Sequence, residues 1–364
     1  MLIYSYCIIG REESAIYNGG IMLDDMNVIA QRDTADMLGA AAELPDQLLR
    51  RFVVDVPSQK HEIKNVVFSA LGGSALPAEF VRTWPHLSIP FVLSKDYTIP
   101  HFVDEHTLFI VASHSGSTEE SIAAYAEARK KNATVVVMSS GGPLREMAIE
   151  NNDVFIELPS VKHPRLGYFY AYRALIDVLV AYKLIQPDLV EVLEATVTPL
   201  NTLVQTIQSD VTTGNNSAKQ LALQLVGKTP IIYAGQKMSP AAFKWKISIN
   251  ESAKNTAWTG TVPDMNHNEF TGWTSHPSEK PFAVVDLLSS FEQERVQKRF
   301  EITDRLLSGM RPKAMSVQAV GESELEHVLF LIIFGEFVSL YLALLNGVDP
   351  SPVTQVEKLK AALA

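Results

Sequence analysis

The stretch Thr107-Leu-Phe-Ile-Val-Ala112-Ser113-His114-Ser115-Gly116-Ser117-Thr118-Glu119-Glu120 decides how the chain is read. Six mostly apolar residues run without polar alternation, as a strand buried on both faces requires. A turn of glycine and hydroxyl residues follows, and then a helical pattern from Glu119 to Asn132. The same order occurs upstream, where Asn65–Leu71 runs into Gly72-Gly73-Ser74 and a helix over Ala75–Arg82. It occurs again downstream, where Thr134–Met138 ends at Ser139-Ser140-Gly141-Gly142. Strands, turns and helices in this alternation define a doubly wound parallel sheet, whose ligands bind beyond the carboxyl ends of its strands.

The alternation then pauses and restarts. Before it, a helical pattern runs from Met22 to about Phe52. Helices over Tyr168–Leu184 and on to about Gln208 close the first half. The polar segment Ser209–Ser217 reads as the boundary. Thr229–Ala234 is a strand ending at Gly235, Pro240–Lys254 is a helix, and Pro281–Leu288 and Lys313–Val320 are further strands. The expected organisation is an extension over residues 1–21, a first α/β domain over 22–208 and a second over 209–364.

Composition narrows the function. The 364 residues carry a net charge of -10, which disfavours a general nucleic-acid surface but leaves room for a small phosphate in a local pocket. The single cysteine, Cys7, allows no intramolecular disulfide and fits a reducing, cytoplasmic compartment. The nine histidines form no metal-ligand spacing, so neither metal nor cofactor is expected. His327–Leu345 is the most apolar stretch. Glu336 at its centre points to a buried helix rather than a membrane span, and no basic region precedes the apolar start of the chain as in a signal peptide.

The Ser113–Thr118 turn offers hydroxyls and backbone amides at a helix start, a setting that suits a phosphomonoester without lysine. Ser117 followed by Glu120 would equally make a capping box, and both readings can hold together. Gly72-Gly73-Ser74 gives a second turn that a ligand could approach closely, although glycines also simply make tight turns. A third cluster contains Asn250-Glu251-Ser252-Ala253-Lys254 and Asn266-His267-Asn268-Glu269. Moving a proton between two sugar carbons needs a base, ring opening needs an acid/base, and the enediolate needs a cation or donors. A glutamate and a histidine on neighbouring segments suit that chemistry, and either residue could also be structural.

Taken in order, these segments resemble the bacterial and archaeal bifunctional phosphoglucose/phosphomannose isomerases, built from two sugar isomerase (SIS) domains. The similarity runs from Met22-Leu-Asp-Asp through Gly72-Gly73-Ser74-Ala75, Ser113–Glu120, Pro164-Arg165, Asn250-Glu251 and His267-Asn268-Glu269 to Asp349-Pro350-Ser351-Pro352-Val353, with Lys358 beyond. The resemblance implies two SIS-type doubly wound domains flanked by helices, and a homodimer. It implies Glu251 as the C1/C2 base and His267 as the ring-opening group, reaching the partner's site. Arg165 would face the enediolate, and Lys358 would contact the sugar or assist ring opening. Gly73, Ser74, Ser113, Ser115 and Thr118 would hold phosphate and hydroxyls. Ser351 stands where the family usually has threonine, His114 where an aromatic is common and Ser117 where asparagine is common. Another SIS isomerase of a sugar or amino-sugar phosphate, or a non-catalytic sensor, are the competing readings; a sensor would need the hydroxyl loops but not the Glu251–His267 pair.

Overall fold

The structure, a computed structural model, describes residues 22–58, 61–275 and 281–363. The extension expected over residues 1–21 lies outside them. The described chain divides into two compact units, Glu43–Thr198 and a second that joins residues 22–42 to 199–363.

The unit Glu43–Thr198 is built on five parallel strands: β1 (Asn65–Ser69), β2 (Phe91–Ser94), β3 (Thr107–Ala112), β4 (Thr134–Ser139) and β5 (Val154–Glu157). Their order is β2-β1-β3-β4-β5. Every residue of β3 is buried, as the unbroken apolar run requires. The chain winds one way from β1 to β2 and the other way from β3 onward. The topological switch point therefore lies between the carboxyl ends of β1 and β3.

The second unit carries β6 (Thr229–Gly235), β7 (Trp258–Val262), β8 (Phe282–Leu288) and β9 (Met315–Gln318), again all parallel, in the order β7-β6-β8-β9. Its switch point lies between β6 and β8.

The apolar stretch near the C-terminus forms the 22-residue helix Glu324–Leu345, long and apolar enough by composition to cross a membrane. Here 89% of its apolar window is buried inside the protein, against the helices Ser217–Leu225 and Ser239–Glu251. Glu336 meets Lys244 and Ser248 there, both also buried. A lone carboxylate would be intolerable in that core, whereas a hydrogen-bonded pair is sustainable.

The domain boundary differs from the expected one. The helices Met26–Arg32 and Met37–Ala42 belong to the second unit, not the first. The Arg32 guanidinium donates to the Leu344 carbonyl, and buried Lys219 donates to the Leu23 carbonyl at 2.7 Å. The polar segment 209–217 is no linker either. Thr213 donates backbone and hydroxyl hydrogen bonds to Asp24, and Asn216 caps the helix Ser217–Leu225. Its polar groups serve as caps and ties, which composition alone cannot distinguish from a solvated connection.

Candidate active site

The switch point of the first sheet gathers most of the expected phosphate-binding residues. After β1 the chain enters a 3-10 turn, Gly72–Ala75, and after β3 it makes the Ser113–Thr118 loop. The two loops are joined directly, because the His114 amide donates to Ser74 Oγ at 3.2 Å. Ser113 Oγ and Thr118 Oγ1 share a hydrogen bond of 2.8 Å, and Ser117 Oγ donates to Ser115 Oγ at 3.0 Å. Five hydroxyls thus line the two joined loops; Ser74 and Ser115 accept bonds, which leaves their own hydrogens able to turn toward an incoming acceptor. The space beside Gly73 is open: a Cβ built there would meet no atom within 4 Å.

The loop is held rigidly from behind. Ser140 donates to the His114 carbonyl from both its amide (2.9 Å) and its hydroxyl (2.6 Å). Gly116 has φ +66°, and a Cβ there would lie 1.7 Å from the Gly141 carbonyl oxygen, so only glycine fits. The expected capping box is replaced. Thr118, not Ser117, is the N-cap of Glu119–Lys130, and its side chain bonds Ser113 rather than a helix amide. The first-turn amides are therefore not consumed by the cap side chain, which favours the anion reading of the loop. Burial pushes the His114 imidazole below its usual value, so the loop offers neutral donors rather than an imidazolium. Arg165 sits on the short turn Pro164–Leu166, which leaves the carboxyl end of β5 and is tied by Gln47 Nε2 to the Leu166 carbonyl at 2.7 Å.

Glu251, His267, Ser351 and Lys358 all lie in the second unit, at different places. Glu251 is the last residue of the helix Ser239–Glu251. A helix that follows a parallel strand runs back toward the amino edge of the sheet, so Glu251 is at the edge opposite the strand carboxyl ends. Glu251 is therefore not presented at the carboxyl ends, where ligands of such sheets ordinarily bind. Two hydrogen bonds fix the location: Asn255 Nδ2 to the carbonyl of Lys228, just before β6, and the Ala257 amide, just before β7, to Asn250 Oδ1. Beside Glu251 lies the turn after the long helix. Lys254 Nζ donates to the Glu251 carbonyl at 2.6 Å and to the Pro350 carbonyl at 3.2 Å. Ser351 donates from its amide and its hydroxyl to Asp349 Oδ1, both at 2.7 Å.

His267 is exposed on the turn Asp264–His267, beyond the carboxyl end of β7. Glu251 and His267 of one chain are therefore separated by the length of β7, about 13 Å for five residues. Glu269 is occupied otherwise: Tyr233 Oη donates to its carboxylate at 2.6 Å while receiving a bond from Trp273 Nε1. Lys358 is exposed on the helix Thr354–Leu363, and among the described residues no hydrogen bond links it to the Glu251 cluster.

Two parallel doubly wound sheets flanked by helices define a fold of the SIS type. The structural comparison agrees: a glucose-6-phosphate isomerase like protein from Thermus thermophilus shares the fold at a TM-score of 0.63, with 20% identity, 93% of this chain and 98% of that one covered. Residues 214–363 match the family described as Bacterial phospho-glucose isomerase C-terminal SIS domain. A bifunctional phosphoglucose/phosphomannose isomerase of Caldicellulosiruptor bescii is 33% identical, with 90% of this chain and 99% of that protein covered. One from Aquifex aeolicus is 29% identical, with 85% and 93% covered. The chain belongs to the bifunctional phosphoglucose/phosphomannose isomerase family and is an enzyme of the isomerase class.

Proposed function

We propose that the chain interconverts glucose 6-phosphate, and mannose 6-phosphate, with fructose 6-phosphate through a cis-enediol. The observation that carries this reading is the cradle at the first switch point. Ser74, Ser113, Ser115 and Thr118 lie on two loops joined at the His114 amide, with open space beside Gly73, and offer a phosphomonoester hydroxyl donors. In the reaction His267 passes a proton to the ring oxygen as the anomeric hydroxyl loses one, which opens the ring. The Glu251 carboxylate takes the C2 proton of the open aldose. The C–H electron pair forms the C1=C2 double bond, and the carbonyl oxygen becomes an oxyanion facing Arg165. Return of the proton to C1, with transfer of the O2 proton to O1, completes the ketose. Lys358 contacts the sugar from the C-terminal helix. Ser351 flanks the C2–C3 bond, where its small hydroxyl leaves room for the rotation that two epimers require.

The separation of Glu251 from His267 along β7 supports a site shared between two chains in a homodimer, each supplying the histidine of the other. The setting is cytoplasmic. A coupled assay supplying glucose 6-phosphate or mannose 6-phosphate and measuring fructose 6-phosphate tests the reading. Turnover of both is expected. Turnover of neither, with binding of the phosphosugar retained, would make the chain an isomerase of another substrate.

A further inference from the structure

The end of the Ser239–Glu251 helix carries a residue in a conformation that its type disfavours. Lys254 has φ +54°, in the left-handed region that glycine adopts at helix ends without penalty. Lysine gives up that backbone ease, so its side chain must supply something. The exposed ammonium is engaged at two points, the Glu251 carbonyl and the Pro350 carbonyl, which belong to different segments. The same junction is closed by Asn346 Nδ2, which donates to the Ala253 carbonyl at 3.1 Å. On the far side of the turn, Asp349 holds Ser351 through two bonds and accepts a third from Thr34 Oγ1. Burial would raise the Asp349 carboxyl, but the bonds from Ser351 and Thr34 and the nearby Lys254 charge hold it below its ordinary value. The ammonium is therefore bonded to two carbonyls near a carboxylate that Ser351 and Thr34 hold in place.

Resting on the proposed isomerase reading, we propose that Lys254 is a positioning residue: it clamps the last turn of the Glu251 helix to the 349–353 turn and so fixes the base against Ser351. It touches neither substrate nor reacting atoms. Its action is geometric, on the distance between the group that moves the proton and the group that shapes the C2–C3 side of the site. A displaced base loses rate steeply, since misplacement by about 1 Å can cost about a hundredfold.

The experiment uses the full chain with Lys254→Gly and Lys254→Arg. Glycine suits the backbone at this position, so a purely structural lysine would be replaced without loss of melting temperature or rate. The clamp predicts otherwise for Lys254→Gly. Tm should be unchanged or higher and KM close to wild type, with kcat lower by roughly ten- to a hundredfold. The ratio of glucose 6-phosphate to mannose 6-phosphate turnover should shift. Lys254→Arg, which keeps a cation within reach of the carbonyls, should retain most of kcat. Deuterium uptake by a peptide over 346–353 should rise in Lys254→Gly. Unchanged kcat and substrate ratio, or unchanged uptake, would overturn the clamp. If the wild-type chain converted neither sugar phosphate, the isomerase reading would fall, while the uptake measurement would still decide whether Lys254 holds the two segments together.

Discussion

The two sheets share a winding order and differ at their switch points. In the first, the space beside Gly73 is open and hydroxyls from two loops surround it. In the second, the equivalent space beside Gly235 is filled by the protein itself. A Cβ at Gly235 would lie 2.2 Å from the Glu292 carboxyl carbon. That carboxylate accepts the Met238 amide at 3.0 Å, just ahead of the Ser239–Glu251 helix. Burial raises the Glu292 carboxyl, against the amide bonds of Met238 and Lys237 and the Lys237 charge. A carboxylate thus fills the turn after β6, whereas the turn after β1 is left open at Gly73. The second sheet keeps a cavity beside the ends of β8 and β9, lined by Leu288, Ser289, Glu292 and Gln318, but the space at Gly235 is closed, and in the proposed reaction this unit contributes Glu251 from the opposite edge. In the proposed reaction one copy of the architecture supplies the ligand cradle and the other carries the base.

The largest expected effect tests the open cradle. Ser115→Ala with Thr118→Ala removes two hydroxyls, and a hydrogen bond to a charged group contributes roughly 1.5–3 kcal/mol. KM for the sugar phosphate should rise about a hundredfold or more, while Ser290→Ala, in the corresponding exposed loop of the second sheet, should leave KM unchanged. Equal effects of the two changes on KM would erase the distinction between the sheets.

A smaller effect tests the closed one. In the Ser115→Ala/Thr118→Ala background, inorganic phosphate should no longer raise Tm. Adding Glu292→Ala vacates the second cradle, and phosphate should stabilise the protein again, by roughly 2.7 kcal/mol at a hundred times its Kd. Absence of any phosphate-dependent rise would mean that the second switch point lacks anion-binding geometry even when emptied.

Much of the first sheet was legible. The runs at Asn65, Thr107 and Thr134 read as buried strands because burial on both faces removes polar alternation. β2, β5 and β7 passed unread. Phe91–Ser94 and Trp258–Val262 are short edge strands with mostly half-buried residues, so their composition resembles that of loops. The hydroxyl loop was legible as a turn between a strand and a helix, and Glu336 as a core residue, since no other setting suits a carboxylate inside nineteen apolar-rich residues. The allegiance of Met26–Ala42 was not, because it depends on single long-range bonds such as Arg32 to Leu344. The edge on which Glu251 sits was available in principle: a 13-residue helix after a strand carries its last residue back across the sheet, about 20 Å. Glu292 gave no local signal, because its role exists only once the β6 and β8 loops are side by side.

The proposed reaction requires Glu251, carried by the second unit, as its base. In Glu251→Gln the helix end and the bonds around Lys254 are preserved while basicity is removed. Incubated with glucose 6-phosphate in deuterium oxide, this variant should bind substrate as before, lose about two to four orders of magnitude in isomerisation rate, and show no exchange of the C2 hydrogen with solvent. Exchange at the wild-type rate, with isomerisation lost or retained, would contradict the assignment and put the base on another residue.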